Sequence, residues 1–102
     1  MSYRLIIDPA AKLGIIESIR WYNEQKPGLG RRYYSSIKQA IKLIKNGPEM
    51  FQVRYETLRM APLERFPFMI LYQVDLANKL VAIVAVLHTG RNPKVWEHRI
   101  EN

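Results

Sequence analysis

The sequence predicts an α+β domain built from an N-terminal strand, an antiparallel two-helix hairpin and then a three-stranded antiparallel meander. Three observations carry this prediction. Apolar residues recur at helical spacing from residue 10 to residue 46 with one interruption at Lys26-Pro27-Gly28. After Pro48 the chain turns to β-branched and aromatic runs. The links between those runs are too short for a crossover helix, so neighbouring strands must pair antiparallel.

Residues 3 to 8 alternate, with Tyr3, Leu5 and Ile7 on one side and Arg4, Ile6 and Asp8 on the other, which suits a half-buried strand. Asp8-Pro9 then opens a helix, since Asp is a good N-cap and proline at the first helical position sacrifices no hydrogen bond. From Ala10 the apolar series is Leu13, Ile16, Ile19 and Tyr22, with Glu17, Arg20 and Glu24 between, and the helix ends near Gln25. A second series runs from Leu29 through Tyr33, Ile37, Ala40, Ile41 and Ile44 until Asn46-Gly47-Pro48 closes it. So short a turn between two helices makes them a hairpin. Three strands are expected at 52–60, 66–75 and 80–87, linked by 61–65 and 76–79. The run from Leu80 to Leu87 has no polar face, which predicts burial on both sides and the central place in the sheet.

At 102 residues the chain suits one domain spanning 1–102. It has no cysteine, which excludes a disulfide framework and thiolate metal sites. Its N-terminal apolar stretch is shorter than a signal-peptide core and no run approaches the roughly 20 apolar residues of a membrane span. The expected compartment is therefore the cytoplasm, with no membrane contact. Sixteen Lys and Arg against nine Asp and Glu give a formal charge of +7, which favours an anionic partner: nucleic acid, an acidic protein segment or a phosphate-bearing substrate. Arg31, Lys38, Lys42 and Lys45 fall within roughly a 60° sector of the second helix, opposite its apolar series. That stripe is either the solvated back of an amphipathic helix or a partner-binding surface.

Three segments carry a family resemblance: Trp21-Tyr22-Asn23-Glu24-Gln25-Lys26-Pro27-Gly28-Leu29-Gly30 in the hairpin, Phe66-Pro67-Phe68 with Ile70 and Tyr72, and His88-Thr89-Gly90-Arg91-Asn92-Pro93 followed by Trp96. Together, in this order and spacing, they resemble the ParE branch of the RelE/ParE toxin superfamily over essentially the whole chain. The resemblance implies a basic toxin encoded beside an antitoxin in a type II toxin–antitoxin system, the kind associated with plasmid stabilisation. ParE-like members with an assigned target are regarded as inhibitors of DNA gyrase, whereas RelE-like relatives on the same fold cleave mRNA on the ribosome. A member that only binds its antitoxin is a further alternative. Fold alone does not choose among them.

RNA cleavage at the 2′-hydroxyl needs proton acceptors and donors together with cations to stabilise a phosphorane. RelE-like toxins are understood to draw these from basic residues on the sheet. The strand arginine of that branch is replaced here by Phe68 or Met69, which argues against a nuclease. The remaining candidates for catalysis are Glu56, Arg59, Arg65, His88 and Arg91. His88 is also read as a structural cap of its strand, although an imidazole suits proton transfer near neutral pH. Arg59 and Arg91 could instead pair with antitoxin carboxylates through their guanidinium forks. The expected partner surface thus comprises Arg31, Lys38, Lys42, Lys45, Arg59, Arg91 and Trp96, with the antitoxin lying across the helical hairpin and the uncovered sheet face. Trp21, Tyr22, Phe66, Phe68 and Trp96 are read as core aromatics rather than base-stacking platforms. No cofactor or small-molecule substrate is expected: Gly28 and Gly30 lack the preceding strand of a nucleotide-binding loop. His88 and His98, the only histidines, have no carboxylates at metal-ligand spacing.

Overall fold

The first strand, β1 (Arg4–Ile7), stops at Asp8, whose carboxylate accepts a hydrogen bond from the Ala10 amide at 2.9 Å and so starts α1 (Pro9–Gln25). Pro9 occupies the first helical position, as its fixed φ and missing N–H favour. The architecture is that of a computed structural model, which describes residues 3–89. Lys26 ends α1 with its amide donating to the Tyr22 carbonyl at 3.0 Å. Gly28, at a left-handed φ of 88°, then turns the chain into α2 (Leu29–Asn46).

The two helices touch where a side chain is missing. A Cβ on Gly30 would lie 2.5 Å from the Ile19 carbonyl oxygen and 2.7 Å from the Asn23 side chain. Instead, the Gly30 amide donates to Asn23 Oδ1 at 2.9 Å. This contact fixes which flank of α1 faces α2, and with it the rotation of α1 over the sheet.

On α2 the predicted face is the buried one: Tyr33, Ile37, Ala40 and Ile44 pack inward. On α1 the expectation is partly overturned. Ala11, Ile15 and Tyr22 are buried with Ile19 packed beside them, while Leu13 and Ile16 are 57% and 44% exposed. The physical reason is that α1 is apolar on more than one side. Its rotation is set by the Gly30 contact and by the small Ala11, which lets the helix approach the sheet closely.

Beyond Gly47 a single 3-10 turn (Pro48–Met50) leads into β2 (Val53–Tyr55), β3 (Leu58–Pro62), β4 (Phe68–Asp75) and β5 (Leu80–His88). The single strand expected over 52–60 is two strands. A tight turn at Glu56-Thr57, with Glu56 at a φ of 50°, folds β2 back on β3 so that Tyr55 faces Leu58. The meander therefore has four antiparallel strands. The sheet order is β1-β5-β4-β3-β2, with β1 parallel to β5 from Arg4↔Leu80 to Ile7↔Ile83. β5 lies inside the sheet, between β1 and β4, but the central strand of the five is β4 and not β5 as expected, because the hairpin of β2 and β3 extends the sheet on the β4 side by one strand more than the sequence predicts.

One face of the sheet meets the helices, and the core there includes Tyr33, Ile37, Ile44, Ile70, Tyr72, Val81 and Ile83, none of them accessible to solvent. A smaller cluster of Leu58, Leu71, Ala85 and Leu87, with Met60, Met69 and Val84 against it, occupies the alternate positions. The sheet face away from the helices is thus no open apolar surface, for Leu58 and Leu71 are 2% and 0% exposed. Among the described residues no helix is long and apolar enough to cross a membrane.

The segment after α2 is tied down by β3 and β4. The Tyr72 hydroxyl donates to the Pro48 carbonyl at 2.7 Å, and Arg59 donates to the Phe51 carbonyl at 2.6 Å and the Glu49 carbonyl at 3.4 Å. Burial pushes the Tyr72 phenol up to about 12, against a smaller downward pull from the Arg59 cation. A folded value above the ordinary 10 means that this stabilisation is whole below pH 10 and is lost as pH rises toward 12. Tyr22 and Tyr33 are raised by burial in the same sense. Tyr72→Phe is expected to cost about 1–3 kcal/mol at pH 7, because the Pro48 carbonyl loses its donor, and to lessen the alkaline fall in stability. Urea unfolding at pH 7, 9 and 11 measures both effects.

Candidate binding surfaces

Of the expected acid–base groups, Glu56 and Arg59 line one small cavity, and Arg65 and His88 lie away from it. Glu56 is exposed in the β2–β3 turn, and Arg65, also exposed and at a φ of 69°, lies in the β3–β4 link, so the two flank opposite ends of β3. Arg59 stands opposite Tyr72, whereas His88 stands opposite Phe68. Four residues of β4 separate those two positions, which at 3.3 Å per residue is about 13 Å. Arg59 already donates to loop carbonyls, and His88 packs edge-to-face on Phe68 with ring centres 5.2 Å apart. Arg91, Trp96 and His98 lie outside the described residues.

Where a sheet arginine would serve a nuclease, the side chains are apolar. Phe68 closes an aromatic cluster with Tyr33 and Tyr22 at centroid distances of 5.1 and 6.1 Å, and Phe66 meets Tyr22 edge-on at 5.2 Å. Met69 belongs to the opposite apolar cluster. Tyr22, Phe66 and Phe68 are thus core aromatics, as expected, while Trp21 is 56% exposed although its ring still meets Tyr22 edge-on. Within that core the Tyr33 hydroxyl lies beside Ser18, whose own hydroxyl donates to the Gly14 carbonyl at 2.9 Å.

The cationic stripe is real as a surface. Arg31, Lys38 and Lys42 are exposed on α2 and Lys45 is half-buried near its end. The Lys38 ammonium sits 4.9 Å above the Tyr34 ring, a contact that holds the side chain along the helix. No acidic residue occurs in α2 to neutralise it.

One feature escaped the sequence reading altogether. An open groove of about 740 Å³ runs between the free flank of α1, with Ala10, Gly14 and Trp21, and the end of the sheet, with Phe68, Val86 and His88. Gly14 was its one visible signal: a glycine inside a helix costs about 1 kcal/mol relative to alanine. Nothing lies within 4 Å of where its Cβ would be.

The strand, helical hairpin and meander, with an apolar patch in place of a sheet arginine, match a known family in sequence as well. Residues 5–93 match the family described as ParE toxin of type II toxin-antitoxin system, parDE. The chain belongs to this family of ParE toxins. Solved structures share the RelE/ParE-like fold. A chromosomal ParDE toxin–antitoxin system from P. aeruginosa contains a chain with a TM-score of 0.74 at 16% identity, over 85% of this chain and 96% of that one. The isolated E. coli RelE toxin gives 0.64 at 18% identity, over 98% and 97%. The intact E. coli RelBE toxin–antitoxin complex gives 0.65 at 18% identity, over 88% and 100%. No curated protein matches this ParE toxin in sequence. Both branches of the superfamily fit the backbone, so the side chains must separate them.

Proposed function

We propose that this ParE-family toxin acts in the cytoplasm by binding rather than by catalysis, that its target is DNA gyrase, and that a cognate antitoxin neutralises it. The observation that carries this reading is the apolar character of β4 at Phe68 and Met69, where a ribosome-dependent nuclease would need a cation. The separation of His88 and Arg65 from Glu56 and Arg59 supports it, because acid–base catalysis requires donor and acceptor within hydrogen-bond reach of one substrate. The ParE family match adds to it, since the ParE branch is the one associated with gyrase. The formal charge of +7 favours an acidic antitoxin segment and an anionic target.

The test uses cells expressing the toxin without its antitoxin. Early DNA damage with intact mRNA is the expected result, and His88→Gln, which keeps hydrogen-bonding capacity without titrating, should leave toxicity largely unchanged. Prompt codon-linked mRNA cleavage that falls about 10²- to 10⁴-fold in His88→Gln would overturn the reading in favour of a nuclease.

A further inference from the structure

The outer face of the helical hairpin carries cations on both helices. On α2 the row Arg31, Ser35, Lys38, Lys42 and Lys45 is polar throughout, and at 1.5 Å per residue it spans about 21 Å. α1 adds Lys12 and Arg20, both exposed, one helical turn to either side of Ile16. Ala11, Ile15 and Tyr22 point α1 at the sheet, and Ile19 and Asn23 meet Gly30 of α2. The row from Lys12 to Arg20 therefore falls on the solvent side of the seam between the helices, as does the α2 row. With Gly30 against Ile19 and Asn23, the antiparallel register brings Arg20 level with Arg31, and Lys12 level with Lys38 and Lys42.

Little on the hairpin offsets this charge. α2 holds no acidic residue. Of the two carboxylates of α1, Glu17 lines the groove on the free flank, and Glu24 follows it two turns later on the same flank.

The make-up of the band selects its partner. Four of its six cations are lysines, which are depleted from protein–protein interfaces, where carboxylates are better met by arginine forks. A single nucleic-acid strand needs open rings on which its bases stack, but the Lys38 ammonium covers the Tyr34 ring at 4.9 Å. A lipid surface needs apolar side chains to enter it, and the α2 row has none. Point charges on a straight rod, with a serine hydroxyl among them, suit the regular phosphates of a duplex.

We infer that the outer face of the hairpin binds the phosphate backbone of duplex DNA, without regard to base sequence, through Lys12, Arg20, Arg31, Lys38, Lys42 and Lys45. The inference deepens the gyrase reading above and rests on it for its place in toxicity, since the toxin then grips the DNA on which its target acts.

Fluorescence anisotropy with the full-length free toxin and two unrelated duplexes of roughly 20 base pairs, between about 50 and 200 mM salt, tests the inference. The expected result is equal affinity for both duplexes and a slope of log K against log salt near −5, about −0.9 for each phosphate contact. Arg31→Gln/Lys38→Gln/Lys42→Gln should make that slope shallower by about 3 and weaken binding about tenfold or more at the lowest salt. Lys42→Gln alone should change the slope by about 1, whereas Arg54→Gln, which removes one exposed charge from β2 at the far edge of the sheet, should leave it unchanged. Melting temperatures equal to the parent's check that the fold is kept. In a supercoiling assay the triple variant is expected to inhibit gyrase less than the parent does. No binding by the parent at the lowest salt, or a folded triple variant with the parent's slope, overturns the inference. A triple variant that keeps its hold on DNA but loses the antitoxin, or loses vesicles of anionic phospholipid, also overturns it, because the face then serves that partner. A parent toxin that binds DNA through these residues yet leaves gyrase uninhibited supports the DNA surface and overturns the target reading alone.

Discussion

Ile83→Asp is expected to leave the chain unfolded. Ile83 is inaccessible to solvent and sits on β5 with β1 on one side and β4 on the other. Its side chain packs in the cluster under both helices. A carboxylate there would be buried without a partner, a penalty of several kcal/mol against a total stability of about 5–15 kcal/mol. Ile83→Ala removes only volume and should cost about 2–5 kcal/mol. Circular dichroism and urea titration of the two variants read the difference. A soluble Ile83→Asp protein with a cooperative melt would show that this residue is not at the centre of the fold.

Gly30→Val should be the second most damaging change, for a different reason. The new Cβ would meet the backbone oxygen of Ile19 at 2.5 Å, and backbone inside a helix cannot turn aside as a side-chain tip can. The hairpin must open, Asn23 loses its bond to the Gly30 amide, and the Tyr22–Tyr33 packing at 5.0 Å loosens with it. Overpacking of this kind costs about 1–3 kcal/mol or more, and the lost hydrogen bond adds about 1 kcal/mol. Gly28→Ala, which meets no neighbour and bears only the strain of its positive φ, should cost less. A Gly30→Val chain no less stable than Gly28→Ala would contradict the proposed closeness of the helices.

These two sites also mark what could be read in advance. That β5 is not an edge strand was legible because a strand with apolar residues on both sides has few other places to go, whereas the central place expected for it belongs to β4. The buried face of α2 was legible because its cations stand cleanly opposite its apolar residues. α1 was not, since Leu13 and Ile16 make as good a helical stripe as Ala11 and Ile15, and only contact with Gly30 decides between them. The turn at Glu56-Thr57 carried no glycine or Asn-Gly signal to split β2 from β3. The parallel pairing of β1 with β5 joins segments too distant for any local pattern. Among the site residues, the absence of a strand arginine was legible at Phe68 and Met69. The engagement of Arg59 with the Phe51 carbonyl was hidden, because it depends on where the loop after α2 comes to rest.

That parallel pairing also orders events during synthesis. Arg4 meets Leu80, so β1 has no partner in the sheet until the other described strands have followed it from the ribosome. At about 5–20 residues per second, β1 waits several seconds with Leu5 and Ile7 uncovered while the helical hairpin, whose contacts are local, is free to form. The loop closed by β1 is among the longest in the domain and its entropic cost falls late. A message cut short before the codons of β5 therefore yields a chain that lacks the inner strand and cannot complete its sheet. Completion of the sheet is thus gated by translation of β5.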